Sequence, residues 1–405
     1  MRRSGTPGKC SREERRVAGL IWLCLAYVLS QFFRAFLAVL SEVLERDLGA
    51  APEALATASG LWFLSFAAMQ IPVGWALDRI GPRRTAAVLL LLGGGGGAAL
   101  FALAGGPAHI SIAMFLIGIG CSPVLMASYY IFAREYPPAR FATLAALMLG
   151  VGSAGNIVAS YPTALAAELI GWRGTLAGLA ALSTLVAAGI FLSVRDPARV
   201  ETELRGSVLT ILKLPVMWLI LPMMLVNYAP AATVRGLWIG PYLADVFHLT
   251  TAQIGQASLA MGAAMIAGTL CYGPMDRLLG TRKWVVAGGA LGSVAALVWL
   301  TLVIGTSPLL SVALLAVVGF LGGYFPVIIA HGRAFIPAHL VGRGVTLMNL
   351  FGIGGVGLMQ FVTGRLHSGL SGGAVTAPYG VIFGFLAVTL LIGTVLYLFS
   401  RDSLD

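Results

Sequence analysis

Long apolar stretches alternate with short polar segments along the whole chain. Twelve such stretches stand out: 17–42, 54–77, 85–105, 109–133, 142–167, 174–194, 214–243, 252–275, 284–305, 309–330, 345–366 and 376–400. A helix needs about 20 apolar residues to cross about 30 Å of hydrocarbon, so the pattern predicts an all-α membrane protein of twelve spans. The longest polar interruption runs from Arg195 to Lys213 and divides the chain into two comparable halves. The expected organisation is a polar tail (1–16), a six-helix bundle (17–194), a linker (195–213), a second six-helix bundle (214–400) and a short tail (401–405).

The two halves repeat one another. Gly74-Trp-Ala-Leu-Asp78-Arg79-Ile-Gly81-Pro-Arg83-Arg84 is echoed by Gly273-Pro-Met-Asp276-Arg277-Leu-Leu-Gly280-Thr-Arg282-Lys283. Tyr27 and Arg34 recur as Tyr228 and Arg235, both 201 residues later, and Leu147-Met148 recurs as Leu347-Met348. Duplicated helical halves are how secondary transporters frame a central site between two bundles.

Composition agrees with the pattern. The chain is 58% hydrophobic and 10% charged, with a mean hydropathy of +0.91, against about 25% charged residues in a soluble domain. The net charge of +10 invites a nucleic-acid partner, but the positions argue against one. Of the 26 Lys and Arg, 21 lie in the tails and in alternate loops. Basic residues stay on the cytoplasmic side during insertion, so the charge predicts cytoplasmic termini and an inner-membrane, multi-pass chain. No cleavable signal peptide is apparent. Cys10, Cys24, Cys121 and Cys271 are scattered without metal-ligand spacing, which suits packing residues. Gly150-Val-Gly152-Ser-Ala-Gly155 satisfies a dinucleotide-binding pattern, yet it opens no strand-turn-helix unit and reads as a helix-packing face. The run Gly93 to Gly97 reads the same way.

Gln70-Ile-Pro-Val-Gly74 through Arg84, the second copy at 273–283, and Gly171-Trp172-Arg173 together resemble the major facilitator superfamily over essentially the whole chain. The second copy departs by one residue between Gly273 and Asp276. The resemblance implies a monomeric carrier of a small-molecule substrate, embedded in the lipid bilayer, with no cofactor and no nucleic acid, working by alternating access. It further implies a gating role for Gly74, Asp78, Arg79, Gly81, Arg83 and Arg84, and for Asp276, Arg277 and Arg282. Asp78 would close against the opposite bundle.

Charged side chains deep in a span are costly and mark candidate sites. Arg34 and Arg235 are two such residues, at equivalent positions in the halves, and no Asp or Glu lies mid-span to neutralise them. Tyr27, Gln31 and Arg34 share one helix face, and Tyr228, Arg235, Trp238 and Tyr242 a comparable stripe. Two guanidiniums framed by tyrosines suit a carboxylate or phosphate, an arrangement that resembles the organophosphate:phosphate antiporter branch. Snorkelling arginines are the plainer alternative. Asn156, Tyr324, Asn349 and Gln360 are further polar candidates for a cavity wall. Met261 and Met265, one turn apart, offer a thioether pair of the kind copper-importing members of the superfamily use, although methionine is an ordinary gap-filler. His331 is the nearest candidate for a proton relay, with a satisfied interfacial histidine as the simpler reading. A transport-dead sensor of the same fold stays open. An enzyme is disfavoured, since no HExxH, GxSxG or P-loop motif occurs.

Overall fold

The computed structural model of the protein describes residues 7–197, 208–337, 340–370 and 372–404. Residues 1–6 of the expected tail, 198–207 of the expected linker, and Asp405 lie outside the described residues.

Every regular element among the described residues is helical. In chain order they are α1 (Pro7–Phe32), α2 (Leu37–Leu48), α3 (Pro52–Ala68), α4 (Gln70–Arg79), α5 (Pro82–Ala102), α6 (Pro107–Glu135), α7 (Pro138–Val158) and α8 (Tyr161–Ser193). The second half holds α9 (Met217–Phe247), α10 (Thr251–Tyr272), α11 (Lys283–Leu302), α12 (Pro308–Arg333), α13 (Val341–Ser368) and α14 (Ala377–Leu398), with two five-residue helices at Val208–Leu212 and Met275–Leu279. Nine helices are long and apolar enough to cross a membrane, and two bent pairs raise that to as many as eleven among the described residues. The pairs are α1 with α2, bent by 55°, and α3 with α4, bent by 41°.

The fifth expected span differs most. It was to run unbroken over 142–167, but α7 ends at Val158 and the chain turns through Ser160 before α8 begins. The left-handed φ of 73° at Gly171 then breaks α8 into 161–170 and 172–193. Only glycine adopts that conformation without strain. Helix α1 also starts earlier than the apolar pattern does, reaching back to Pro7 through part of the expected tail.

Small residues set the close helix contacts. A Cβ on Gly93 would fall 2.5 Å from the Gly120 nitrogen, so α5 and α6 touch backbone to backbone. Gly152 and Gly155 of α7 receive α1 in the same way, against the Tyr27 ring and the Val28 carbonyl. This is the packing face expected for that glycine pattern.

Between the halves, α2 packs on α9, α3 on α13, and α8 on α10. These contacts gather at one end of the molecule. Gly364 approaches Ala56, Gly60 approaches Phe361, Gly240 approaches Ala38, and Thr251 donates to Glu42 at 3.4 Å. At the opposite end, which carries the start of α1 and the end of α14, the polar pairings described below each stay within one half.

Candidate functional site

Two local irregularities shape the centre of the molecule, one in each half. Arg34 sits in the turn between α1 and α2, where no proline or glycine occurs. Phe32, Phe33 and Phe36 fill that turn with mutual ring contacts of 5.6–5.8 Å. Arg235 sits in a π-helical segment of α9, Val234–Trp238, with Pro230 and Pro241 on either side. Proline supplies no N–H to the ladder, and single π turns inside α-helices recur at functional sites.

Arg34, Asn156, Tyr228, Arg235, Phe63 and Met265 line a small, partly open cavity between the halves. The two arginines do not behave alike. Arg235 is 3% exposed and reaches across the interface into the first half. It donates to Asn156 Oδ1 at 2.9 Å, to the Asn156 carbonyl at 2.5 Å and to Ser160 Oγ at 3.2 Å. The helix break supplies that carbonyl. The Ser160 N–H bonds Ile157 at 3.1 Å, not Asn156, leaving the Asn156 oxygen to Arg235 and to the Ser160 hydroxyl.

Arg34 instead lies over aromatic faces, 5.4 Å from the Trp62 ring and 5.0 Å from the Phe66 ring. Its Nε is buried and has no hydrogen-bond partner among the described residues. Gln31 Oε1, Trp62 Nε1, Arg235 Nε and both amide atoms of Gln360 are in the same condition. Each buried, unpaired polar group costs about 1–3 kcal/mol, and of these residues Arg34 and Arg235 line the cavity.

The remaining candidates divide. Tyr27 is buried against Gly152, within electrostatic reach of Arg34 and Tyr228. Trp238 is fully buried, donating to Thr363 at 2.9 Å and stacked on His367 at 5.1 Å, away from the cavity wall. Tyr324 is fully buried beside Tyr272 inside the second half, and half-buried Asn349 does not reach the cavity wall either. Met265 reaches the cavity, while Met261 is buried behind Gly319. His331 is fully buried and bonded on both ring nitrogens, to Tyr397 at 2.6 Å and to the Arg401 carbonyl at 3.0 Å. The expectation that both arginines lack protein partners is corrected for Arg235. Its partners are neutral oxygens, which a search for carboxylates passes over. The sequence signal for the aromatic floor is Trp62 and Phe66, one helical turn apart.

A family model described as the Major Facilitator Superfamily matches residues 23–237, more than half of the chain. The chain belongs to that superfamily. No curated protein matches it. Among solved structures it is similar to a bacterial homologue of the human lysosomal transporter Spinster in an inward-facing, occupied conformation. There the identity is 17% and the TM-score 0.77, over 95% of this chain and 96% of that one. It is also similar to a D-xylose–proton symporter, with 17% identity and a TM-score of 0.76 over 95% and 98% of the two chains. A nucleoside transporter follows, with 14% identity and a TM-score of 0.73 over 94% and 99%. At these identities the likeness concerns the fold, which in this superfamily is that of membrane transporters.

The repeated superfamily motifs lie at the end of the molecule that carries the termini. Asp78 ends α4 and pairs with Arg134 of α6 at 3.9 Å, within its own half and not against the opposite bundle. Gly81 turns the chain at φ 103°, and the Arg83 N–H donates to Asp196 at 2.8 Å. Arg79 and Arg84 are exposed, and Gly74 is half-buried. In the second copy Asp276 is buried and takes a bond from Arg282 at 3.2 Å, while Arg277 is exposed. Asp402 bonds the backbone of Arg282 at 3.2 Å and of Lys283 at 3.0 Å, and also the Thr281 hydroxyl. Asp196 and Asp402 thus hold the starts of α5 and α11 in the same manner. Both follow an arginine just past the last helix of their half, 206 residues apart. That recurrence was available in the sequence and was missed, as was Arg134.

Proposed function

We propose that the protein is a secondary transporter that moves a small organic or phosphorylated anion by alternating access, with Arg34 receiving the anion. The observation that carries this reading is a guanidinium on the cavity wall with no carboxylate beside it among the described residues, laid over Trp62 and Phe66. A cation in a low-dielectric site favours an arriving negative charge, and the planar fork suits two oxygens of a carboxylate or phosphate. The aromatic floor favours an organic body attached to that charge. Gln31 and Gln360, with their unpaired amide atoms, suit neutral hydroxyl or amide groups on the same molecule.

In this reading the end that carries the termini is cytoplasmic, as the distribution of basic residues indicates. The protein then sits as a monomer in an inner membrane. The described contacts between the halves lie toward the outer end, and Asp78 and Asp276 each pair within their own half among the described residues, which supports an inward-facing arrangement. Asp78 and Arg134 would re-pair across the bundles when the inner side closes.

The test is ligand-induced thermal stabilisation of the purified protein with benzoate, phenyl phosphate, a neutral aromatic and Cu(I). A ligand that binds only the native state raises its apparent stability by mass action. An anion that stabilises the parent but not Arg34→Ala supports the reading. Stabilisation by the neutral compound or by Cu(I), unchanged in Arg34→Ala, would remove it.

A further inference from the structure

We propose that Asn156 and Ser160 latch Arg235 in the unloaded carrier, and that an oxygen group of the substrate must displace them before the two halves can part. The inference rests on the anion reading above and extends it from where the substrate binds to why binding permits movement.

Arg235 belongs to the second half, and its guanidinium bonds go to the first. The same junction continues through Ser160 Oγ to Ser258 Oγ of α10 at 3.3 Å, so two contacts between the halves meet at one serine. Opening the outer end requires α9 and α10 to move away from α7 and α8, and this movement breaks every one of these bonds. In an empty carrier nothing replaces them. A buried guanidinium stripped of its partners is strongly unfavourable, so the empty carrier stays as it is.

A substrate changes the balance. Arg235 and Asn156 both face the cavity where Arg34 waits. A carboxylate or phosphate brings a negative charge and two oxygens for the planar guanidinium fork, neither of which the neutral Asn156 amide supplies. The substrate that settles on Arg34 is therefore able to take Arg235 from Asn156 and leave the interface free. Gly262 gives the guanidinium room, since a Cβ there would lie 3.0 Å from its Nε and Nη2. The consequence is functional. A carrier that moves readily only when loaded returns readily only when loaded, so it exchanges one anion for another and conducts net flux slowly.

The test is hydrogen exchange of the ligand-free full chain in lipid nanodiscs, read at the outer segments α2 and 239–247 of α9. Asn156→Ala should speed exchange there by roughly 10-fold, as expected where one well-made buried bond is lost. Asn156→Asp should slow it, because the carboxylate tightens the hold on Arg235. A merely damaged fold would speed exchange in both variants, and that result overturns the proposal. Addition of benzoate or phenyl phosphate to the parent should speed exchange in these segments, and do less in Asn156→Ala. Opposed shifts in the two variants, with neither anion binding, would keep the latch and remove the anion. An anion bound through Arg34 with exchange unaltered by either variant would keep the anion and remove the latch.

Discussion

Arg34 and Arg235 occupy equivalent places in the two halves, and each stands where its span departs from a regular α-helix. There the likeness ends. Arg235 is buried and bonded across the interface to Asn156 and Ser160, whereas Arg34 lies on Trp62 and Phe66 with its Nε unpaired. The difference follows from their neighbours. Opposite Arg235, α7 breaks and turns toward it a carbonyl that the backbone ladder leaves free. Beside Arg34, α3 runs on and presents rings. The repeat places two cations around one cavity, and the different neighbouring helices give one to the interface and lay the other over aromatic rings.

The largest expected effect tests that division through stability. Arg235→Ala removes three bonds across the interface and leaves Asn156 Oδ1 without its partner, and should cost about 3 kcal/mol. Arg34→Ala removes only a cation–π contact, worth about 0.5–2 kcal/mol. Thermal unfolding of both variants in detergent measures the gap. Equal losses would mean that the arginines share one structural role and that the asymmetry has no energetic content.

Ligand affinity should show the reverse order. Arg34→Lys keeps the charge but loses the planar fork and its stacking, and should weaken an anion that stabilises the parent by roughly 10-fold, or about 1.4 kcal/mol. Titration of the thermal shift against ligand concentration reads this. An unchanged midpoint would show that the fork does not touch the anion.

The sequence made the scaffold legible and the division of labour illegible. Hydropathy located most of the helices, because a bilayer allows few alternatives to a buried helix, but not the breaks within the first, second and fifth expected spans. The 201-residue offset between Arg34 and Arg235 located the cavity, since duplicated halves bring such positions face to face. What stayed hidden depends on long-range geometry. Pro162 marks a break near Ser160, but nothing in a run of residues tells that the Asn156 carbonyl turns toward Arg235. Trp238 shares a stripe with Arg235, yet the π turn carries it to Thr363 and His367. Asp78 was placed against the far bundle, whereas in this conformation Arg134 holds it at home.

A smaller effect probes the room around Arg235. Gly262→Ala puts a methyl group 3.0 Å from the guanidinium, and overpacking of this kind costs about 1–3 kcal/mol. The equivalent pressure is absent at Arg34, where the cation lies over rings. The variant should therefore lose stability by about 1–2 kcal/mol, as for a mild overpacking, while Arg34-dependent ligand binding persists. Loss of both together would show that the two arginines are coupled more tightly than their separate partners suggest.

The smallest effect sets a position where the halves agree beside the one where they differ. Asp196 and Asp402 bind the first N–H groups of α5 and α11 alike, although their own offset departs from that of the arginines. Partial burial pushes the Asp402 carboxyl up, but the Thr281 hydroxyl and the Lys283 and Arg282 N–H groups outweigh it and hold the pKa below the usual carboxylate value. A group whose pKa is depressed by folding stabilises the native state above its unfolded value, about 3.9, and that contribution fades as pH falls through the folded value. The parent should therefore lose stability as pH drops below about 4, and Asp402→Asn should flatten that loss while lowering stability at neutral pH by about 1 kcal/mol, as for a lost helix cap. Thermal unfolding between pH 7 and about pH 3 measures both terms. If Asp402→Asn leaves the acid limb unaltered, the cap in the second half is geometric only, and the likeness between the halves at this end is weaker than their shared bonding implies.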